Sequence, residues 1–378
     1  MMQVTEYKTL GELPNPFVFE DGRQVRGVED WPERRREIYK TAVELQYGTM
    51  PPAPEFLETE RLYENGAGKM DVYRVTSGTR ACPVSFNMYV RMPAGKGKHP
   101  VVISGDTCFL SSWNPEFQKA FVDEKMYLVL FDRVSIVPDN ASSGRNAPLY
   151  RAYPDCTFGA IGAWAWGYSR CVDALLQLGI GDPDWIVFTG LSRGGKTCLL
   201  AGALDVRAAI VNPVATCAGG GACYRVHMKA MTEDGQQELR SETLADLLSK
   251  FRFWMGPELG KYAQDESKLP FDCHFLKAMV APRVLLESQA MSDIWANPIG
   301  AWQSSVAAQE VYKMFGCPEN VQWYWRSGVH AQTPEDGQML ANLILHQKDG
   351  VPLHEKYGVL PFEAPEKLFH WGWTKGEK

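Results

Sequence analysis

The chain has 378 residues, which is enough for one large domain or two small ones. Its formal net charge of −6 at pH 7 argues against a nucleic-acid-binding surface, and the absence of any run of about 18 apolar residues argues against a membrane-spanning helix. Hydrophobic residues make up 45% of the chain and 12 tryptophans are present, so we expect a large core with aromatic side chains to spare for a cleft.

The first residues and the cysteines predict a cytoplasmic protein. Gln3, Glu6 and Lys8 follow the first methionine without the basic start and apolar core of a signal peptide. The nine cysteines are an odd number and form no C-x-x-C pair, so we expect reduced thiols. The chain would instead be secreted if a signal peptide had preceded this sequence.

Apolar runs and helix-forming segments alternate along most of the chain. Segments typical of strands, the first of which reads as an antiparallel pair, occur at residues 70–92, 99–105, 127–131, 186–188, 208–214, 282–287 and 321–325. Helices are predicted at residues 30–47, 159–178, 197–204, 298–315 and 334–346. This alternation favours an α/β fold with a doubly wound, mostly parallel sheet and the antiparallel pair at its edge.

Two segments interrupt the alternation. Residues 1–60 form an N-terminal extension, half of which is polar and rich in Pro and Gly. Residues 216–271 begin with a glycine-rich turn and continue into a polar helical region at 238–254, which we interpret as a cap inserted over the strand ends. Because no repeat or linker is evident, a single domain over residues 1–378 is predicted.

One strand-turn-helix segment, residues 186–200, carries two overlapping motifs. Gly190-Leu-Ser192-Arg-Gly194 matches G-x-S-x-G, the nucleophile elbow of the α/β-hydrolase fold, with Ser192 as nucleophile. The same turn also matches G-x-x-x-x-G-K-T, the phosphate-binding P-loop, which ends at Thr197. The two motifs predict different chemistry.

Residues downstream of the turn favour the elbow. A P-loop also needs a carboxylate at the end of a neighbouring strand to complete its Mg²⁺ site, and the strand at 208–214 ends without one. An elbow needs an acid and then a histidine in loops after later strands. His330 follows the last strand and Asp293 follows the strand before it, while Glu287 at the end of that earlier strand is the alternative acid.

These residues predict serine-dependent ester hydrolysis without a cofactor. Ser192 Oγ would attack the acyl carbonyl, His330 would accept and return the proton, and Asp293 would orient the imidazole. The oxyanion would be bound by the backbone N–H of Arg193 and by a donor from the loop near Thr107. No metal is expected, because the histidines and cysteines lack ligand spacing.

Several motifs together resemble those of the glucuronoyl esterases, a family of carbohydrate esterases within the α/β-hydrolases. They are, in chain order, Trp164-Ala-Trp166, Gly190-Leu-Ser-Arg-Gly-Gly-Lys196, Gly219-Gly-Gly-Ala-Cys-Tyr-Arg225, Asp293-Ile-Trp-Ala-Asn-Pro298 and Gly328-Val-His330. The resemblance covers roughly residues 98–346. It implies a serine esterase that acts on esters of glucuronic acid, such as those between xylan and lignin.

The resemblance also implies roles for side chains around the elbow. In the family the elbow arginine assists the oxyanion, which implies that role for the side chain of Arg193. The elbow lysine contacts sugar hydroxyls, which implies that role for Lys196. Trp295 of the W-A-x-P segment would line the sugar site, and Arg225 would be a further substrate ligand.

The chain departs from the family at one catalytic position. Many members place a glutamate after the strand that follows the elbow, in a P-x-E pattern, where this chain has Pro213-Val-Ala215. Because that glutamate is missing, Asp293 is expected to be the acid of the triad. An acetyl-ester deacetylase or small-molecule esterase of the same fold is an alternative function, and a P-loop nucleotide-binding protein is an alternative of another class. The expected partner is a small-molecule or oligosaccharide ester, and the oligomeric state is not predicted.

Overall fold

The computed structural model describes residues 1–66, 69–95 and 97–374. Its strands are β1 (Val4–Thr9), β2 (Phe56–Asn65), β3 (Met70–Thr79), β4 (Cys82–Arg91), β5 (Val101–Ser104), β6 (Tyr127–Phe131), β7 (Ile186–Leu191), β8 (Ala208–Val214), β9 (Val226–Met231), β10 (Glu238–Arg240), β11 (Val284–Ala290) and β12 (Val321–Arg326). Its α-helices are α1 (Trp31–Ile38), α2 (Pro115–Val122), α3 (Arg133–Ile136), α4 (Pro148–Ala152), α5 (Ala160–Leu178), α6 (Arg193–Leu204), α7 (Leu244–Phe251), α8 (Cys273–Ala278), α9 (Pro298–Met314) and α10 (Pro334–Asp349).

A nine-stranded sheet forms the centre of the molecule, with the strand order β12-β11-β8-β7-β5-β6-β4-β3-β2. The strands from β12 to β6 pair in parallel, whereas β4, β3 and β2 continue the sheet in antiparallel pairs. This architecture confirms the predicted α/β-hydrolase fold with an antiparallel N-terminal edge. It extends that edge by β2, which the sequence analysis did not predict.

The two faces of the sheet are covered by different helices because side chains alternate along each strand. Val101 and Ile103 of β5 belong to one apolar cluster, together with Trp164 of α5. Val102, between them, belongs to another cluster that includes Phe117 of α2 and residues of α10. Both faces are therefore buried, which explains why β5 and β6 are almost continuous apolar runs rather than alternating patterns.

A second, three-stranded sheet has the order β1-β9-β10, with both pairings antiparallel. β9 and β10 lie in the segment 216–271, where the sequence analysis predicted a glycine-rich turn and a helical region. Of that helical region, only Leu244–Phe251 forms an α-helix. The N-terminal extension supplies β1, so it forms part of the structure around the inserted segment.

The helix predicted at residues 30–47 also differs in detail. α1 ends at Ile38 and continues as a π-helix from Tyr39 to Leu45. The Asp30 side chain does not cap α1, since its Oδ2 accepts a hydrogen bond from Arg26 N at 2.9 Å instead. Throughout the described ranges, no helix is both long and apolar enough to span a bilayer.

Candidate active site

The nucleophile candidate lies in a strained turn at the carboxyl end of β7, the sheet edge at which open α/β sheets bind ligands. Ser192 has φ 60° and ψ −119°, a conformation that costs a non-glycine residue on the order of 1–3 kcal/mol. The turn is held by hydrogen bonds from Ser192 N to Val214 O at 2.8 Å and from Lys196 N to Ser192 O at 2.9 Å. The predicted strand-turn-helix elbow is therefore present, with α6 starting at Arg193 rather than at Thr197.

Three glycines allow this turn to pack closely. A Cβ on Gly190 would lie 2.5 Å from Gly194 O, and a Cβ on Gly195 would lie 2.6 Å from Val214 O. At Gly194 a Cβ would lie 2.1 Å from the Asp106 Oδ1 atom. The glycines of the G-x-S-x-G motif are thus required by packing around the serine.

A buried ion pair between Asp106 and Arg133 contacts the residue before the nucleophile. Asp106, fully buried after β5, pairs with the equally buried Arg133 and accepts a hydrogen bond from Leu191 N at 2.7 Å. Burial raises the pKa of the Asp106 carboxyl, and the neighbouring Arg133 opposes that shift. The pair fixes the residue that precedes Ser192 to the loop after β5.

The predicted acid and histidine meet at the ends of the neighbouring strands β11 and β12. His330 Nδ1 lies 2.6 Å from Asp293 Oδ2. The Asp293 side chain is only 3% exposed, whereas the His330 side chain is 40% exposed. Within the described part of the chain, Ser192 Oγ makes no hydrogen bond to His330. The structure thus contains the acid–histidine pair, and among the residues it describes the other ring nitrogen of His330 has no hydrogen-bond partner.

The alternative acid is engaged elsewhere. Glu287 is fully buried within β11, where it forms an ion pair with Lys277 at 2.8 Å and accepts a hydrogen bond from Gln289 Nε2 at 3.0 Å. At the position where many family members carry glutamate, Ala215 is also buried. Of these positions, Asp293 is the one whose carboxylate contacts His330.

The backbone N–H of Arg193 is available to an oxyanion because the first residues of a helix have no acceptor within the helix. The Arg193 side chain forms an ion pair with Asp139 at 2.5 Å, and its guanidinium lies 4.9 Å from the centre of the Trp254 ring. Trp254 Nε1 donates to the other oxygen of Asp139 at 2.8 Å. These contacts hold the guanidinium beside the start of α6.

Thr107, the expected source of the second oxyanion donor, contacts β6. Its hydroxyl donates to Phe131 O at 3.2 Å, and its carbonyl accepts from Trp113 Nε1 at 2.9 Å. The Thr107 hydroxyl is therefore committed to the sheet. A role for this loop in binding the oxyanion stays a prediction.

Lys196 and Thr197 have protein partners of their own. The buried Lys196 Nζ bonds to the carbonyls of Thr216 and Ala218 and lies 3.4 Å from Glu242 Oε2. Thr197 Oγ1 donates to Arg193 O at 2.8 Å. The two side chains that would bind phosphate and Mg²⁺ in a P-loop are thus occupied, and a contact between Lys196 and a sugar stays a prediction.

Trp295 lies near the elbow. Together with Phe109 it packs on a small apolar cluster that contains Leu191, the residue before Ser192. Lys250 Nζ lies 4.8 Å and the Arg240 guanidinium 5.3 Å from the centre of its ring. Both cations lie over the ring of this partly exposed indole.

Arg225 is not brought to this group. It is buried, and its guanidinium donates to Phe271 O at 2.9 Å, to Leu269 O at 2.6 Å and to the carboxylate of Asp272 at 3.1 Å. These contacts join the inserted segment to the start of α8. They describe a structural role, and substrate binding by Arg225 stays a prediction.

Three residues that hold the side chains of Arg193 and Lys196 were not predicted from the sequence: Asp139, Trp254 and Glu242. Their partners lie 46 to 115 residues away along the chain, and none of the three belongs to a motif. No local spacing could have found them. Over the described residues, no group of three or more His, Cys, Asp or Glu side chains could hold a metal ion.

Comparison with known proteins adds three kinds of similarity. A family model described as "Glucuronyl esterase, fungi" matches residues 75–316. A 4-O-methyl-glucuronoyl methylesterase of Wolfiporia cocos is 30% identical over 314 residues, which are 81% of this chain and 73% of the relative. A carbohydrate esterase family 15 glucuronoyl esterase from Caldicellulosiruptor kristjansonii superimposes with a TM-score of 0.83 at 28% identity, covering 96% of this chain and 97% of that one.

A further solved structure contains a ligand. It is a glucuronoyl esterase mutant from Sporotrichum thermophile in complex with methyl 4-O-methyl-β-D-glucopyranuronate. It superimposes on this chain with a TM-score of 0.71 at 24% identity, over 90% of this chain and 89% of that one. At this level of identity the similarity supports the fold.

Proposed function

The chain belongs to the glucuronoyl esterase family, and we propose that it hydrolyses esters of glucuronic acid with Ser192, His330 and Asp293 as its catalytic triad. Membership of this family makes it a carboxylic ester hydrolase that acts on a carbohydrate ester. The observation that carries the triad is the 2.6 Å contact between His330 Nδ1 and Asp293 Oδ2, at the sheet edge where Ser192 forms the elbow.

The contact with Asp293 determines which nitrogen of His330 acts as the base. The Nδ1–H group donates a hydrogen bond to the carboxylate, which stays ionised, so Nε2 keeps its lone pair and can accept the proton of Ser192 Oγ. Ser192 Oγ then forms the acyl-enzyme, and the protonated imidazole gives its proton to the leaving alcohol. In the second half of the reaction, water attacks the acyl carbonyl while Nε2 of His330 accepts its proton. The imidazolium then returns a proton to Ser192 Oγ, which leaves as the acid product is released. The developing oxyanion is stabilised by the Arg193 N–H at the positive end of α6.

The expected acyl group is a sugar acid. The Wolfiporia relative is named as acting on a 4-O-methyl-glucuronoyl methyl ester, and the Sporotrichum structure holds such an ester. Beside the elbow of this chain, Trp295 offers an aromatic surface suited to the flat face of a sugar ring. Arg240 is paired with Asp246, so the exposed Lys250 over the Trp295 ring is the cation that favours the carboxylate product as it forms.

The substrate assignment is tested by comparing esters. We expect the protein to hydrolyse benzyl or methyl glucuronate with a much higher kcat/KM than p-nitrophenyl acetate, and Ser192→Ala to abolish both activities. Strong hydrolysis of the acetate with none of the glucuronates would instead indicate an acetyl-ester deacetylase or small-molecule esterase. Calorimetry with Mg·ATP should give no binding, and binding would support the P-loop alternative.

A further inference from the structure

One acidic side chain outside the proposed triad contacts both loops that carry Asp293 and His330. Glu233 lies in the turn between β9 and β10, on the surface of the molecule. Its Oε2 accepts a hydrogen bond from Ser292 Oγ at 3.1 Å and from Gly328 N at 2.6 Å. Ser292 directly precedes Asp293, and Gly328 lies two residues before His330.

These contacts form a closed network. Ser292 Oγ accepts a hydrogen bond from Glu233 N at 3.0 Å, so the serine hydroxyl both donates to and accepts from the same residue. Ser292 N donates to Gly328 O at 2.9 Å. The acid loop and the histidine loop are thus bound to one another and to the same glutamate.

The carboxylate of Glu233 has no cation as a partner among the residues that the structure describes. Its hydrogen bonds go to a backbone amide and a hydroxyl of the two loops, although it lies in an exposed turn. A surface carboxylate that serves solubility or a salt bridge does not need such partners. These partners therefore indicate that Glu233 stabilises the loops that carry Asp293 and His330.

Within the loop that carries His330, the contact with Glu233 is made at Gly328. Buried Arg326 binds the carbonyls on either side of His330, with Nη2 at 3.1 Å from Val329 O and 2.6 Å from Ala331 O. Gly328 has φ 102°, a conformation that glycine adopts readily and other residues rarely do, and its N–H is held by Glu233. Arg326 also donates to Ser327 O at 2.8 Å, so it holds three carbonyls of the loop, whereas Glu233 holds the N–H of Gly328.

We propose that Glu233 is a positioning residue, whose carboxylate holds the loops of Asp293 and His330 together so that the imidazole faces Ser192. The proposal rests on the triad proposed above. Because displacement of a catalytic group by about 1 Å can cost on the order of 10²-fold in rate, a single contact that sets the spacing of two loops has a measurable effect. Glu233 itself does not touch the substrate.

The test compares Glu233→Ala, Glu233→Gln and Asp234→Ala in the full chain, with benzyl glucuronate and p-nitrophenyl acetate as substrates. Glu233→Ala should lower kcat by roughly 10- to 100-fold on both esters, with KM within about twofold of wild type. Glu233→Gln keeps an oxygen acceptor and should recover most of the activity. Asp234 is the matched control, because the bonds of its carboxylate to described residues stay within the turn, to Thr232 Oγ1 at 2.6 Å and Gln236 N at 3.0 Å.

Each outcome decides the proposal. Wild-type kcat in Glu233→Ala would overturn it, as would equal losses in Glu233→Ala and Asp234→Ala, which would show that only the turn matters. A loss in Glu233→Gln as large as in Glu233→Ala would assign the effect to charge and contradict positioning through hydrogen bonds. Ser192→Ala distinguishes failure of the proposed function from failure of the positioning role of Glu233. If Ser192→Ala keeps wild-type activity, the proposed function fails. If it is inactive while Glu233→Ala is normal, the positioning role alone fails.

Discussion

Two carboxylates of the same segment, Glu287 and Asp293, are held in environments that give them different tasks. Glu287 is neutralised inside β11 by Lys277, and both side chains are fully buried. Asp293 lies beyond the strand end, and its carboxylate contacts a histidine that is partly open to solvent. The first arrangement stabilises the fold, whereas the second can stabilise an imidazolium during a reaction.

Replacement of the proposed catalytic acid should affect rate far more than stability. Asp293→Ala leaves His330 without the partner that fixes its tautomer, so we expect kcat for benzyl glucuronate to fall on the order of 10⁴-fold. The melting temperature should stay close to that of the wild type. Steady-state kinetics and a thermal melt on the same preparation check both parts. A variant that melts normally and keeps more than about a tenth of kcat would contradict the assignment.

Replacement of Glu287 should give the opposite result. Glu287→Ala leaves the buried ammonium of Lys277 without its counter-ion, which typically costs about 3–5 kcal/mol. Urea denaturation should show that loss in the free energy of unfolding, while the folded fraction keeps its kcat. If Glu287→Ala is stable but inactive, Glu287 is the acid and Asp293 is not.

The Ser192 elbow and the contact between Asp293 and His330 could be predicted from the sequence, while the contacts of the residues around them could not. Asp293 and His330 could be found because each follows a recognisable strand, and parallel strands end at one edge. The burial of Lys196 against the carbonyls of residues 216 and 218 could not be found, because it depends on how the chain folds after β8. The same holds for Arg193 and its partner Asp139.

At the scale of elements, the elbow depends on contact between the first turn of α6 and the loop after β5. Gly194→Ala would put a methyl group 2.1 Å from Asp106 Oδ1. Asp106 cannot retreat without breaking its pair with buried Arg133. We expect a variant that is destabilised by several kcal/mol or fails to accumulate as folded protein, measured by circular dichroism and urea denaturation.

The matched control for that glycine is Gly66, whose added Cβ would meet no atom within 4 Å. Gly66→Ala should unfold at the same urea concentration as the wild type. If Gly194→Ala is as stable as Gly66→Ala, the close packing of the elbow on Asp106 is not as described.

The elements that sequence predicted are those with buried apolar runs. β6 and β8 have the bounds expected from their residues, because both faces of these strands are covered. β2 escaped prediction because glutamates at 58, 60 and 64 lie within an exposed edge strand. β10 has only three residues, and its strand conformation depends on pairing with β9. Short polar strands that form only by pairing with distant segments have no local sequence pattern that would predict them.

At the scale of the whole molecule, His274 joins distant parts of the chain. This fully buried residue of α8 bonds through Nε2 to Pro14 O at 2.8 Å, and its ring stacks on Trp371 with centres 5.7 Å apart. Burial lowers the pKa of His274 to about 4, from an ordinary value of 6.5. The N-terminal extension, α8 and the C-terminal segment therefore meet around a histidine that the fold keeps neutral.

This histidine makes the stability depend on pH. Between pH 4 and pH 6.5 the unfolded chain binds a proton on His274 that the folded chain does not, so stability rises with pH across this window. The contribution is fully present above pH 6.5 and is lost as pH falls towards 4, and it amounts to about 3 kcal/mol. Urea denaturation at pH 4.5 and pH 7 measures it, and His274→Gln should flatten the difference. An unchanged difference in the variant would contradict this account.

The arrangement of the whole chain was predictable only in outline. The alternation of strands and helices predicted the central sheet. The use of the N-terminal extension as β1, beside the strand that leads to Glu233, was not predictable, because the residues of β1 become a strand only through pairing with β9, more than 200 residues away. The cytoplasmic location stays a prediction.

The most direct test of the central claim is to label the protein with a fluorophosphonate and to locate the label by peptide mass spectrometry. A serine activated by His330 and Asp293 should carry the label at Ser192, and the labelled enzyme should lose its activity on benzyl glucuronate in proportion. Ser192→Ala should take up none. Label on another residue, or full activity in the labelled protein, would contradict the proposal that Ser192 is the nucleophile.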